Sequence, residues 1–134
     1  MTPFPYSIEP DATLREAREM MAVHTVRHLP VTNSHELVGI ISHSDVMGAW
    51  AGKAGKKALD KLTVKDVYVS DAYVVELDEP LEKVLLTMAD RHIGSAIVTR
   101  RGRLAGVFTS NDACRCFGEY LRENFPRPGG DDAA

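Results

Sequence analysis

Gly39-Ile-Ile-Ser-His-Ser-Asp45 and Gly106-Val-Phe-Thr-Ser-Asn-Asp112 are two copies of one pattern: glycine, two apolar residues, a hydroxyl residue, two polar residues, aspartate. The apolar pair is strand-like, the hydroxyl stands where a strand turns into a helix, and the aspartate falls one turn inside that helix. Ser-x-x-Asp and Thr-x-x-Asp have the spacing of a capping box, with the carboxylate also favoured by the positive end of the helix dipole. The same helix start can do more. Its free N–H groups suit an anion, and a hydroxyl there can reach a phosphate or sugar oxygen. A carboxylate one turn on can accept both hydrogen bonds of a ribose diol, as acidic residues do in dinucleotide folds. Cap and ligand site are compatible, because a carboxylate has about four acceptor positions.

Working outward, the repeat extends well beyond this string. A slide of 67 positions, Gly39 onto Gly106, also carries Ile8 onto Val75, Leu14 onto Leu81, Met21 onto Met88, Val31 onto Val98 and Thr32 onto Thr99. Each copy opens with a short extended stretch, Ser7–Glu9 or Tyr73–Leu77. A helix follows. Thr13 and Glu16 make a capping box in the first copy, and Leu14, Ala17 and Met21 share a face. Pro80 opens the second helix, where its missing N–H costs nothing, and Leu81, Val84, Leu85 and Met88 form the apolar stripe. Two strands joined by a tight turn come next, Leu29–Thr32 with Leu37–Ile41 and Ser95–Thr99 with Leu104–Phe108. A last helix begins near Ser42 or Thr109.

The expected fold is therefore mixed α/β (α+β), with two pseudo-symmetric β-α-β-β-α repeats packed through their sheets. A repeat of this size buries little apolar surface by itself, so the two need each other. The expected division is 1–55 for the first repeat, 56–62 for a linker, 63–125 for the second repeat and 126–134 for a disordered tail with nothing to bury. The basic run from Lys53 to Lys57 reads as a solvated stretch of that linker.

Composition excludes several classes. No apolar stretch approaches the roughly 20 residues that cross a bilayer, and the N-terminus has neither the basic patch nor the apolar run of a signal peptide, so a cytoplasmic location is expected. The net charge of −3 argues against nucleic acid as a partner. Cys114 and Cys116 are two apart, point to different helix faces and suit neither a disulfide nor a zinc site. His24 and His28 would share a helix face only if the helix ran through Leu29-Pro30, so no metal site is expected. No Gly-x-Ser-x-Gly, P-loop or nucleophile–base pair is present, and the chain reads as a binding module rather than an enzyme.

The repeated string and the β-α-β-β-α order resemble the cystathionine β-synthase (CBS) domain, as does Arg27-His-Leu-Pro-Val31 at the second strand. Two such copies in tandem resemble the Bateman module. The resemblance implies a regulatory module that binds an adenosine-containing ligand (AMP, ADP, ATP or S-adenosylmethionine), needs no cofactor, forms a homodimer and passes occupancy on to a regulated protein. The alternative is a ligand-free dimerisation or interaction module.

The resemblance also implies sites built across the copies. One cleft would use Tyr6, Val26, Arg27 and His28 with Thr109 and Asp112. The other would use Tyr68, Asp71, Tyr73, Ile93, Gly94 and Ser95 with Ser42 and Asp45. The apolar residues would sandwich adenine, the aspartates would hold ribose, and basic residues would meet phosphate. The copies diverge here, since Gly94-Ser95 stands where the first has Arg27-His28. The clefts are expected to be unequal, with phosphate favoured beside Arg27 and strengthened by His28 below about pH 6.5, the ordinary imidazole value. Trp50 and its counterparts Phe117 and Tyr120 read equally as core or as a dimer surface.

Overall fold

The computed structural model describes residues 2–3, 6–52 and 55–128. In the first repeat, Thr13 caps α1 (Leu14–His24) with the expected reciprocal box to Glu16, and Leu14, Ala17 and Met21 are buried. The helix stops at Thr25, whose backbone is left-handed at φ 54° and feeds N–H groups to the last carbonyls. The chain then turns through Val26 and Arg27 into β2 (His28–Asn33), which pairs antiparallel with β3 (Glu36–Ser42). Strand pairing runs further into the connection than the apolar pattern suggests. Only Ser34 and His35 turn, both with positive φ, the conformation that matches the twist of a hairpin. Ser42 then caps α2 (His43–Trp50).

The second repeat follows the same course through β4 (Val74–Glu76), α4 (Leu81–Arg91), β5 (Ser95–Arg100), β6 (Arg103–Thr109) and α5 (Ser110–Asn124). Pro80 sits at the cap of α4, one place ahead of its expected position. The 67-residue offset holds in detail: His92 repeats the left-handed stop of Thr25, Arg101 and Gly102 repeat the turn of Ser34 and His35, and the register irregularity after Val31 recurs after Val98.

Each hairpin buries one face against its own helices. Leu29, Val31 and Ile41 belong to one core with Leu14, Ala17 and Met21. Ala96, Val98 and Phe108 belong to another with Val84 and Met88. Strand residues alternate sides, and the buried residues between these, Pro30, Ile40, Ile97 and Val107, point to the opposite faces. Those faces close the two sheets on each other.

Strand exchange ties the repeats further. β1 (Thr2–Pro3) lies antiparallel to β6 and sets Thr2 against Val107, while Val69, near the start of the second repeat, bridges to Ile40. These contacts are related by the same offset.

Symmetry fails between the copies. A turn at Gly55–Lys57, the short α3 (Ala58–Lys61) and a second turn at Val64–Asp66 pack on the first repeat, where Leu59 and Val64 enter its core. The Leu14 and Val64 N–H groups donate to Leu62 and Ala12 carbonyls, and Arg15 grips Asp60 with two hydrogen bonds. Trp50 is thereby half-buried beside this core. Its counterpart Phe117 is 61% exposed, and no residue of α5 is buried. Pro126 to Pro128 are exposed, and the remainder of the expected tail, 129–134, lies outside the described residues, as does Lys53 of the basic run.

Candidate functional site

The left-handed stop of α1 sets the edge of a cleft between the repeats. It turns the chain sharply, so Val26, Arg27 and His28 emerge beside the helix end instead of continuing it. From the other repeat, the β6–α5 junction brings Thr109 and Asp112. Tyr6, Val26, Arg27, His28, Thr109 and Asp112 all line one cleft of about 990 Å3, at the upper end of what small-molecule sites commonly occupy. Arg18, His43, Asn111 and Arg115 line it too.

The geometry at the two motif aspartates is that of a cap. Asp112 Oδ2 accepts from the Thr109 N–H at 2.9 Å and from the Thr109 hydroxyl at 3.1 Å, and the Asp112 N–H donates back to the hydroxyl oxygen at 3.2 Å. Asp45 accepts from the Ser42 N–H at 2.8 Å, and its own N–H donates to the Ser42 hydroxyl oxygen at 3.1 Å. In both copies the box fixes the carboxylate at the mouth of a helix start.

The cleft is rich in cations. Arg18 lies over the Trp50 ring at 5.2 Å, which aligns its guanidinium through a cation–π contact. Arg27 donates to His43 Nδ1 at 3.3 Å, a contact in which the imidazole serves as acceptor. Burial holds the His28 imidazole below its usual range; the Asp45 carboxylate opposes this and the Arg27 guanidinium adds to it. His28 is therefore less protonated than a free imidazole at the same pH. Any strengthening of anion binding through His28 moves below the pH of about 6.5 expected from the sequence. Tyr6 stacks flat on His24, ring centres 3.5 Å apart.

The other expected set is distributed differently. Ser42 and Asp45 start α2 and are not part of the lining of this cleft, although His43 between them is, and Ser42 pairs with His28 across the hairpin. Tyr68 lies across the strand at Gly39 and packs beside the first core. Asp71 is exposed in a bend. Tyr73 and Ile93 pack on the second core, and Arg91 covers the Tyr73 ring at 5.3 Å. This pair is the offset counterpart of Tyr6 and His24. The Gly94 carbonyl accepts from the Ser110 N–H, and Ser95 pairs with Thr109 across the hairpin. Among the described residues, no group of His, Cys, Asp and Glu could hold a metal ion, and no helix is long and apolar enough to cross a membrane.

A family model for the CBS domain matches residues 1–52 and again residues 64–119. The chain belongs to the CBS domain family. Its CBS pair is similar to part of L-aspartate semialdehyde sulfurtransferase of Methanocaldococcus jannaschii, 29% identical over 116 residues that cover 85% of this chain and 21% of that protein. It is also similar to part of inosine-5'-monophosphate dehydrogenase of the same organism, 36% identical over 110 residues that cover 79% of this chain and 20% of that one. The CBS pair thus spans about a fifth of the length of these relatives.

Among solved structures, the CBS domain pair of protein MJ0100 in complex with 5'-methylthioadenosine and S-adenosyl-L-methionine is 27% identical, with a TM-score of 0.74 over 87% of this chain and 90% of that one. The CBS-domain containing protein ATU1752 from Agrobacterium tumefaciens shares the fold, at 21% identity and a TM-score of 0.77 over 86% and 90%.

Proposed function

We propose that this CBS pair binds an adenosine-containing small molecule in the cleft formed by Tyr6, Val26, Arg27 and His28 with Thr109 and Asp112, and that occupancy is passed to a partner protein. The reading is of a regulatory module and not a catalyst. One observation carries it: these six side chains come from opposite repeats and meet around a single cavity of ligand size. The relative crystallised with two adenosyl compounds supports the ligand class. Tyr6 and Val26 would hold the base, Asp112 the ribose, and Arg27 the far end of the ligand.

Binding to the folded state alone stabilises it by about 2.7 kcal/mol when ligand is present at 100 times its dissociation constant. Thermal unfolding with adenosine, AMP, ADP, ATP and S-adenosylmethionine is therefore expected to show a clear rise in midpoint for at least one of them. No rise for any, at millimolar concentration, overturns the proposal in favour of a ligand-free interaction module.

A second reading, compatible with the first, is a homodimer formed on α5. Phe117, Tyr120, Leu121 and Phe125 are 61%, 54%, 42% and 67% exposed, an apolar strip that a closed twofold contact would bury on both partners at once. Light scattering should give about twice the 14.7 kDa chain mass at tens of micromolar, falling to one chain for Tyr120→Glu. A monomer in the parent protein sinks this reading.

A further inference from the structure

Three guanidinium groups border the cleft, and they come from three elements. Arg18 stands on α1, Arg27 at the entry to β2, and Arg115 on α5 of the other repeat. None of the three is held by an ion pair among the described residues, unlike Arg15, which pairs with Asp60, and Lys83, which pairs with Glu79. Among the described residues, Asp112 is the one carboxylate in the lining. The chain as a whole is acidic, with a net charge of −3, so this concentration of positive charge is local and runs against the composition.

The offset comparison sharpens the point. Positions 18, 27 and 115 correspond to Leu85, Gly94 and Gly48, none of them charged. A fold-wide need for a basic residue at these places would have kept one in each copy.

We infer that Arg18 and Arg115 set the charge class of the ligand, selecting a nucleoside carrying a polyphosphate chain and rejecting an adenosyl sulfonium, with the phosphates bridging the two repeats. The inference rests on the ligand reading above and narrows it. S-adenosylmethionine brings a sulfonium and an ammonium against one carboxylate, a net positive charge that three guanidiniums repel. A triphosphate offers oxygens enough for each guanidinium to take two, the geometry in which arginine outperforms lysine. Arg27 and Arg18 from one repeat and Arg115 from the other would then hold one chain of phosphates, which couples binding to the closeness of the repeats.

Calorimetry with adenosine, ATP, S-adenosylmethionine and inorganic tripolyphosphate tests this on the parent, Arg115→Ala and Arg18→Gln. Arg115 is exposed, and its variant is expected to fold normally; Arg18→Gln is checked by its unfolding midpoint, since it loses the contact with Trp50. The parent should bind ATP at least 100-fold more tightly than adenosine, with S-adenosylmethionine weaker than adenosine. Each variant should lower the ratio of ATP to adenosine affinity about tenfold, and raised salt should narrow the ratio in the parent. Adenosine compounds that bind with a ratio unmoved by both variants, or S-adenosylmethionine that matches ATP, overturn the inference and leave the adenosine reading standing. Tripolyphosphate bound with no adenosine compound bound overturns the adenosine reading, and with it the nucleoside part of the inference, leaving a bare polyphosphate site. Absence of binding by all four overturns both.

Discussion

Gly39→Ala should destabilise the protein by about 1–3 kcal/mol or more, the range for overfilling a tightly packed site. Gly48→Ala, nine residues on, should stabilise it by about 0.5–1 kcal/mol. The difference lies in what a methyl group meets. At Gly39 it would stand 2.3 Å from the Val69 carbonyl oxygen and 2.6 and 2.7 Å from two carbons of the Tyr68 ring. The carbonyl cannot swing away cheaply, because the Val69 backbone is paired with Ile40 through hydrogen bonds of 2.9 and 2.8 Å. At Gly48, inside α2, nothing lies within 4 Å, and alanine only lowers the entropy lost on forming the helix. Thermal unfolding should separate the two variants by several degrees in opposite directions. Adding Tyr68→Ala to Gly39→Ala should recover only part of the loss, since the carbonyl stays. A Gly39→Ala protein as stable as the parent would mean that the segment after the first repeat does not lie across β3. The first residue of the repeated motif thus serves the joint between repeats, and only its later residues serve the cleft.

That division of labour was partly legible in the sequence. The offset between Gly39 and Gly106 identified both hairpins and both helix starts, because each depends on local chemistry: alternating apolar residues, a turn, a hydroxyl and a carboxylate at cap spacing. The exchange of Thr2 and Val69 between sheets left no such trace, as edge pairing uses the backbone and asks little of the side chains. The different fates of Trp50 and Phe117 were illegible for another reason. They depend on Leu59, an apolar residue in a short basic segment whose composition reads as linker, and on Val64, at the start of the second repeat, whose packing on the first no local pattern announces.

In the cleft, Arg18 and Arg115 were missed although a signal existed for each. Arg115 follows Asp112 by three residues and must share its helix face. Arg18 stands between Leu14 and Met21 at helical spacing from both, on the border of the buried stripe. Residues that meet across repeats, such as Arg115 and Arg27, can be paired from sequence only through the family resemblance, since no local rule links them.

Asp45→Ala and Asp112→Ala should cost nearly the same stability and yet differ in ligand binding at the arginine-rich cleft. The two caps share their backbone bonds, and Asp112 accepts one more, from the Thr109 hydroxyl at 3.1 Å. The carboxylates accept from the Ser42 and Thr109 N–H groups at 2.8 and 2.9 Å, and the hydroxyl oxygens accept from the aspartate N–H groups at 3.1 and 3.2 Å. Losing either carboxylate should remove about 0.5–2 kcal/mol, the usual worth of a helix N-terminal cap. Only Asp112 lines the cleft with Arg27 and His28. If it also holds a ribose diol, its loss should weaken binding there by a further 1–3 kcal/mol or so, roughly tenfold to a hundredfold. Adenosine is the appropriate probe. It presents the diol without phosphates, so the repulsion that Asp112 exerts on an anionic ligand does not offset the bonds it makes. Calorimetry on both variants, at a temperature where each is folded, gives the answer. Equal stability losses with a binding loss for Asp112→Ala alone identify a residue that caps its helix and holds a ligand with the same carboxylate. Equal stability losses with adenosine bound as tightly as in the parent would reduce Asp112 to a cap, and the ribose contact would have to be made elsewhere.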